Sequence, residues 1–242
     1  MRSVAAVAAG AAGLCVAHIG PAASWLPPLR DRLGPGMLAR GRPRHVALTF
    51  DDGPDPVSTP PFLDLLDELG VRATFFVLGT RVARHPRVAA ETAARGHEVA
   101  VHGWTHRSQW LPDPRRDVRE LRRARTTIEQ VCGTRPQWFR PPFGVLTTGL
   151  WHAARRAELR PVLWGAWGKD WIEGRSPAEV RQTVLATVRG GTTVLLHDTT
   201  PDGQGAAWRT TLAALPGIVE HCRGAGWDVG PLAEHFRTLD GF

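Results

Sequence analysis

Short apolar runs alternate with longer amphipathic segments from His45 almost to the end of the chain. The apolar runs have the length of buried β-strands and cover His45–Phe50, Ala73–Leu78, Glu98–Val101, Gln137–Phe139, Arg160–Trp164, Thr192–Leu196 and Trp227–Val229. The segments between them carry helical patterns, at Thr59–Leu69, Arg81–Arg95, Pro114–Cys132, Thr148–Ala157, Pro177–Val188 and Ala207–Cys222. About seven β/α alternations predict an α/β domain with a mostly parallel sheet.

Capping residues in the sequence support these helix boundaries. Asp113 and Ser176 stand where N-caps belong, and each is followed by a proline at the first helical position. Gly70, Gly96 and Gly133 stand just past predicted helix ends, where a left-handed residue often stops a helix.

The N-terminal part of the chain has a different character. Arg2 precedes an apolar, Ala-rich run from Val4 to Val16, and small residues follow at 20–24. This pattern is typical of a secretory signal peptide, with an uncleaved membrane anchor as the second interpretation and a cytoplasmic Ala-rich leader as the third. The sequence thus divides into a signal peptide or anchor (1–24), a Pro/Gly/Arg-rich linker (25–44) and an α/β domain (45–240).

Composition narrows the functional classes only a little. The net charge is +7 and comes almost entirely from arginine, since Lys169 is the only lysine. The basic residues are scattered and form no recognisable module, which argues against nucleic-acid binding. Association with an acidic cell-wall polymer or a membrane surface stays open.

The cysteines do not form a metal or redox motif. Cys15, Cys132 and Cys222 lie far apart, and none belongs to a CxxC pair. If the leader is removed, Cys132 and Cys222 either pair or remain as two buried free thiols.

Polar residues stand where predicted strands end, and parallel strands bring such ends to one edge of a sheet. They are Asp51, Asp52, His102, Arg140, Asp170 and His197. Two adjacent carboxylates repel each other, so Asp51 and Asp52 require a metal or a cationic side chain nearby. Taken alone, the Asp-Asp-Gly-Pro sequence is equally compatible with an acidic turn.

His102 and His106 follow the third predicted strand. Their spacing of four can turn two imidazoles to one side of a helical turn. With Asp52 they supply three protein ligands and leave a position open, as a catalytic zinc requires. An isolated histidine pair is often a surface accident, so the prediction depends on their position after a strand.

Two further segments can carry chemistry. The loop that begins at Arg140 reads RPPFG, and its two prolines can hold the backbone N–H of Phe143 toward developing negative charge. His197 ends a buried strand, and a carboxylate such as Asp170 would orient it and raise its pKa, making it a general acid. The alternatives are an ordinary proline-rich turn and a core histidine.

The motifs TFDDGP, HxxxH, RPPFG, DW and LLH occur in this order. Together they resemble the polysaccharide deacetylase family, which is also called carbohydrate esterase family 4 or the NodB-homology group, over roughly residues 45–237. The resemblance implies a distorted (β/α)7 barrel and a divalent metal, most often Zn²⁺, with Co²⁺ as an alternative. It also implies hydrolysis of N-acetyl groups on a polysaccharide or oligosaccharide, such as peptidoglycan or a chitin-like polymer.

The resemblance further implies a role for each motif residue. Asp51 would be the general base, held by Arg140, and His197 would be the general acid, oriented by Asp170. The metal ligands would be Asp52, His102 and His106. Substrate would be contacted by the Phe143 N–H at the oxyanion and by Trp171 and Leu195 around the acetyl methyl.

The chain departs from the family pattern at two positions. Gly103 stands where a Ser or Thr often follows the first metal histidine, which puts the support of that loop in question. Phe143 stands where a Tyr is common, and this exchange leaves a backbone donor unchanged. Other functions compatible with the same residues are a metal-dependent amidase, an O-acetyl esterase and a non-catalytic carbohydrate-binding protein.

Overall fold

A computed structural model describes residues 40–108, 113–200 and 205–236. The predicted leader, most of the predicted linker, Cys15 and the last residues of the predicted domain lie outside these ranges. Among the described residues, no helix combines the length and apolarity that crossing a bilayer requires.

The described chain forms a parallel sheet surrounded by helices. The strands are β1 (His45–Asp51), β2 (Thr74–Leu78), β3 (Glu98–Gly103), β4 (Trp138–Phe139), β5 (Arg160–Pro161), β6 (Ala166–Trp167), β7 (Thr193–His197) and β8 (Asp228–Gly230). The helices are α1 (Thr59–Glu68), α2 (Gly79–Arg84), α3 (Pro86–Ala94), α4 (Pro114–Cys132), α5 (Thr148–Arg156), α6 (Pro177–Leu185), α7 (Ala207–Gly224) and α8 (Leu232–His235). A short 3₁₀ turn covers Pro142–Gly144.

The strand order is β5-β4-β3-β2-β1-β7-β6, and β8 pairs with the first half of β1. Each strand pairs in parallel with its neighbours, and the sheet curls into an open, distorted barrel. The predicted fold class is therefore confirmed, and all the carboxyl ends of the strands lie at one rim.

Two predicted elements differ from the structure. The predicted strand Arg160–Trp164 ends early at β5, and the following residues cross the gap between the sheet's two edges before β6 begins. In that crossing the Leu163 carbonyl accepts a hydrogen bond from the Arg140 side chain at 3.1 Å, so a strand partner is unnecessary. The predicted helix Arg81–Arg95 divides into α2 and α3 before Pro86, because proline lacks the N–H that a continuous helix needs.

The predicted helix ends are largely confirmed. The Asp113 side chain caps α4 by accepting from the Arg116 N–H at 3.1 Å, and Ser176 forms a capping box with Glu179 at the start of α6. Gly133 ends α4 in the left-handed conformation, with φ 68°.

The period of two along β1 separates the barrel interior from the helical layer. Val46, Leu48 and Phe50 are buried with helix residues in the larger apolar cluster. Ala47 belongs instead to a second cluster with Phe76, Ala100, Trp138, Val162, Leu232 and Phe236. The last two residues follow β8, so the C-terminal segment closes the amino end of the barrel, and polar side chains gather at the other end.

Cys132 and Cys222 are both free thiols and lie on α4 and α7 respectively. Burial raises the pKa of each thiol to about 11. Of the two interpretations of these cysteines, the structure therefore supports free thiols.

Candidate active site

Three side chains at the carboxyl rim form a cluster that can hold a metal ion. The Asp52 Oδ1 atom lies 3.4 Å from His102 Nε2 and 3.3 Å from His106 Nε2. One ligand atom from each residue lies within 4.8 Å of the other two. These are the three residues that the sequence predicts as ligands.

The hydrogen bonds around this cluster fit a cation. His102 Nδ1 lies 2.9 Å from the Arg140 carbonyl oxygen, which can only accept, so Nδ1 carries the proton and Nε2 presents a lone pair toward Asp52. Both Asp52 oxygens are buried and have no hydrogen-bond partner among the described residues. A cation between Asp52 and the two imidazoles would satisfy these buried groups.

The charge states of the cluster also suit metal binding. Burial raises the pKa of Asp52, but the adjacent His102 imidazole, together with His197 and His106, outweighs this and lowers the pKa to about 2. Burial lowers the pKa of His106 to about 4 against the opposing charge of Asp52. At neutral pH, Asp52 is therefore ionised and His106 is neutral, which are their ligand forms.

A β-bulge positions the first histidine. Between β2 and β3, Val77 pairs with Val101 and Leu78 with Gly103, so His102 is left without a register partner. Bulges of this kind redirect a side chain next to an active site. Gly103 has φ 122°, a backbone angle that residues with a β-carbon rarely adopt. Glycine at this position is thus a requirement of the bulge.

His106 lies in the bend that follows β3, so the expectation of a helical turn joining the two histidines is not met. Trp104 anchors this bend from the side. Its carbonyl accepts from the Thr80 N–H at 2.9 Å, and the Arg123 guanidinium stacks 3.7 Å from the centre of its ring. Helices α2 and α4 therefore hold the segment that carries His106.

Asp51 and Arg140 form a buried ion pair beside the cluster. Arg140 Nη1 donates to Asp51 Oδ1 at 2.7 Å and to Thr49 Oγ1 at 2.8 Å. The guanidinium is fully buried and lies 4.1 Å from the centre of the Phe76 ring. Asp51 Oδ2 faces His102 Nδ1 at 3.8 Å. Arg140 thus fixes one oxygen of the predicted base and leaves the other directed toward the cluster.

His197 stands opposite Asp51, because the two residues are register partners at the ends of β7 and β1. Its Nδ1 lies 3.0 Å from Asp170 Oδ1, and its backbone N–H donates to Asp170 Oδ2 at 2.8 Å. Thr211 donates to the same Oδ2 at 2.8 Å. Burial lowers the pKa of His197, but the Asp170 carboxylate outweighs this, and with Asp52 and Asp51 it raises the pKa to about 10. The imidazole is therefore a proton donor at neutral pH.

Aromatic side chains surround the mouth of the site. Phe143 and Trp171 are 53% and 41% exposed, and their rings contact His106 and His197 at centroid distances of 4.3 and 5.4 Å respectively. Phe143 has φ 58° and is held between the hydrogen bonds of the 3₁₀ turn. Leu195, by contrast, is buried in the wall with Leu163 and Trp164.

Every residue predicted for the site lies in or around this mouth, but three contributors were not predicted. Thr49 binds Arg140, Thr211 binds Asp170, and Asp198 is a fully buried carboxyl next to His197. Thr49 has a sequence signal, since it precedes Asp51 by two residues in a strand and therefore shares its face. Thr211 lies on a helix distant in sequence, and nothing local indicates its contact.

A curled parallel sheet with an aspartate and two histidines at its rim, between a buried carboxylate and a protonated imidazole, defines a metal-dependent hydrolase. Residues 39–162 match the family model described as Polysaccharide deacetylase. This chain belongs to the polysaccharide deacetylase family and is a carbohydrate deacetylase by activity.

Individual relatives are similar over most of their length. The chitooligosaccharide deacetylase of Bradyrhizobium sp. (strain ANU 289) is 35% identical over 198 residues, which cover 79% of this chain and 90% of the relative. The peptidoglycan-N-acetylglucosamine deacetylase of Bacillus cereus is 31% identical over 79% of this chain and 88% of its own length. A family 4 acetyl xylan esterase from Clostridium thermocellum, solved with a cobalt ion, has a TM-score of 0.71 and 31% identity, covering 79% of this chain and 90% of that one.

Proposed function

We propose that the chain removes N-acetyl groups from the amino sugars of a polysaccharide or oligosaccharide, with Zn²⁺ held by Asp52, His102 and His106. The observation that carries the proposal is the pair of buried Asp52 oxygens, which face two imidazole nitrogens and have no hydrogen-bond partner in the described part of the chain. Nitrogen and carboxylate donors suit zinc. The cobalt ion in the structure of the acetyl xylan esterase supports Co²⁺ as a functional substitute.

When bound, such a dication lowers the pKa of coordinated water toward ~7 and polarises a carbonyl group. The protein supplies the proton transfers. Asp51 accepts a proton from the attacking water, and Arg140 orients that carboxylate through the 2.7 Å ion pair. The water oxygen bonds to the acetamide carbon.

The same protein groups complete the reaction. The Phe143 N–H donates to the oxygen that becomes negative, and such a donor contributes roughly 10²–10³ in rate. His197 gives its proton to the sugar nitrogen as the carbon–nitrogen bond breaks, and Asp170 stabilises the imidazolium before transfer. The products are acetate and a free amino sugar.

The aromatic side chains exposed at the mouth of the site indicate where a sugar would bind. The exposed rings of Phe143 and Trp171 lie on opposite sides of the site, against His106 and His197, where they can pack on sugar faces. Buried Leu195 contributes apolar wall for the acetyl methyl group. The similarity to a chitooligosaccharide deacetylase and to a peptidoglycan-N-acetylglucosamine deacetylase supports chitooligosaccharide or peptidoglycan as the substrate class.

A second candidate is an O-acetyl esterase, which the similarity to an acetyl xylan esterase favours. One assay separates the candidates: acetate release from N-acetylated chitooligosaccharides, peptidoglycan and acetylxylan, with and without a chelator. We expect release from an N-acetylated substrate, its loss with chelator, and its recovery with Zn²⁺ or Co²⁺. Release from acetylxylan alone would replace the amide substrate by an ester. Chelator-resistant release would refute the metal, and no release from any substrate would favour a binding protein.

We also propose that the protein acts outside the cytoplasm, in the cell envelope or after secretion. The charged and apolar pattern of residues 1–24 supports this, as does a polymer substrate found in envelopes. N-terminal sequencing of secreted protein tests the proposal: a start near residue 24 would confirm cleavage, and an intact Met1 would exclude it.

A further inference from the structure

Asp198 is a buried carboxyl that the proposed reaction does not use. It is fully buried, its Oδ2 accepts from Thr59 Oγ1 at 2.5 Å, and its Oδ1 has no hydrogen-bond partner among the described residues. Burial and the charge of Asp52 raise the pKa of Asp198 to about 7, against the opposing effects of the Thr59 hydroxyl and Arg81. Such a group costs folding free energy, so its position calls for a compensating role.

That position is directly behind a predicted metal ligand. A β-carbon on Gly53, the residue after Asp52, would lie 2.5 Å from Asp198 Oδ2 and 2.9 Å from Oδ1. The Asp198 carboxyl therefore lies against the backbone of the loop that presents Asp52. Glycine at position 53 is what allows this close approach.

Asp52 itself has φ 81°, a left-handed backbone angle that costs free energy for a residue with a β-carbon. Strand β2 holds one side of this turn, because the Asp52 N–H donates to the Phe76 carbonyl at 3.1 Å and the Leu78 N–H donates to the Gly53 carbonyl at 2.9 Å. Beyond these bonds to β2, the loop lies against the Asp198 carboxyl at Gly53.

Thr59 connects Asp198 to the far end of the same loop. Its hydroxyl donates to Asp198 and accepts from the Asp55 N–H at 2.9 Å, while the Thr59 N–H donates to the Asp55 carbonyl at 3.1 Å. The loop from Asp52 to Thr59 is thus confined between β2 and the Asp198 carboxyl.

We propose that Asp198 is a positioning residue for the metal centre: through Gly53 and Thr59 it holds Asp52 in the strained backbone conformation that directs its carboxylate at His102 and His106. The inference rests on the proposed metal site and is independent of the substrate. Residues that support a metal ligand in this way typically contribute 10–100-fold to metal affinity.

The test measures metal binding directly, on the full chain, by chelator competition for Zn²⁺ and by the visible absorption spectrum of the Co²⁺ form. We expect Thr59→Val to weaken binding by about tenfold, and Asp198→Ala by up to about a hundredfold, with an altered Co²⁺ spectrum. Asp198→Asn keeps an acceptor for Thr59 and should restore most of the affinity. The double variant should bind no more weakly than Asp198→Ala, because both changes break one connection.

Matched controls separate positioning from general destabilisation. Thr92→Val removes a buried hydroxyl that bonds within α3, and Asp117→Asn changes a buried carboxyl on α4. Thr92→Val should lower thermal stability, and neither change should alter the Co²⁺ spectrum. Folded Thr59 and Asp198 variants with wild-type affinity and spectrum would overturn the inference alone, even if acetate release confirmed the proposed function. A wild-type chain that binds neither ion would overturn both.

Discussion

Histidine and carboxylate side chains gather at both ends of the barrel, but their carboxylates differ in the hydrogen-bond partners that the protein supplies. At the amino end the Glu98 carboxylate accepts from Thr74 Oγ1 at 2.7 Å and from Trp138 Nε1 at 2.8 Å. His45 and His235 share a hydrogen bond of 2.9 Å between their Nδ1 atoms. These groups find most of their partners within the protein.

At the carboxyl end, Asp52 lacks such partners. Neither of its oxygens has a hydrogen-bond partner among the described residues, and the Nε2 atoms of His102 and His106 lie 3.4 and 3.3 Å from its Oδ1. Polar burial that is satisfied internally fixes structure, whereas polar burial that is left open indicates a ligand. The ends differ in their carboxylates: both Glu98 oxygens accept hydrogen bonds, whereas among the described residues neither Asp52 oxygen has a donor.

The hydrogen bonds at the amino end also have a structural role. Glu98 Oε2 accepts from the Ala233 N–H at 3.1 Å, and Thr74 Oγ1 accepts from the Leu232 N–H at 2.9 Å. These bonds satisfy the first N–H groups of α8, which lack partners within the helix. The amino end therefore secures the C-terminal segment that closes the barrel.

The largest effect should come from a carboxylate-to-amide exchange at each end. Asp51→Asn keeps an acceptor for Arg140 but loses the base, so kcat should fall by roughly 10³, within the range for general bases. Zn²⁺ affinity should be retained. Glu98→Gln, the counterpart at the amino end, should lower the melting temperature and leave kcat near that of the wild type. Full activity in Asp51→Asn would remove Asp51 as the base.

A smaller effect is expected at the support of the acid. Asp170→Asn removes the charge that raises the pKa of His197, so kcat should fall about a hundredfold and the pKa of His197 should drop. Because the reaction needs His197 protonated, the alkaline limb of the pH–rate profile should move to lower pH. A profile that keeps its alkaline limb while activity falls would show that Asp170 acts only on structure.

The sequence predicts the fold and the first layer of the site well, because both depend on local patterns. Asp51, Asp52, His102, Arg140 and His197 stand at strand ends, and a parallel sheet brings such ends together whatever the intervening helices contain. The order of the motifs then specifies the family.

The residues that hold these side chains in place could not be predicted from the sequence in the same way. Asp198, Thr59 and Thr211 act through contacts between segments distant in sequence, and nothing in their neighbours indicates a partner. The bulge at Gly103 is similar, since its φ is set by pairing with β2. β5 ends at Pro161, and the Leu163 carbonyl beyond it accepts from Arg140, a tertiary contact that the local sequence does not indicate.

The smallest predicted effect is on stability against acid unfolding, through histidines at the amino end of the barrel. Burial, together with the charge of Arg72, lowers the pKa of His97 to about 4, and burial does the same for His45. Because the pKa of each histidine is lower in the folded than in the unfolded protein, folding is favoured while the histidine is neutral. That contribution to the free energy of unfolding is complete above about pH 6.5 and is lost as pH falls toward 4. Each histidine should therefore contribute a slope of up to about 1.4 kcal/mol per pH unit in that window.

The variant His97→Asn tests how much His97 contributes to the dependence of the free energy of unfolding on pH. The Asn oxygen can accept from the Ala73 N–H as the His97 Nδ1 does at 3.3 Å, but it does not titrate. Urea unfolding between pH 7.5 and 4.5, with chelator present so that metal release does not contribute, should show a slope reduced by one histidine's share. His221→Asn makes the same exchange at an exposed histidine and serves as the control for the substitution itself. Equal slopes in His97→Asn and the wild type would show that acid sensitivity arises at other groups, such as His106 at the carboxyl end, where burial also lowers the pKa.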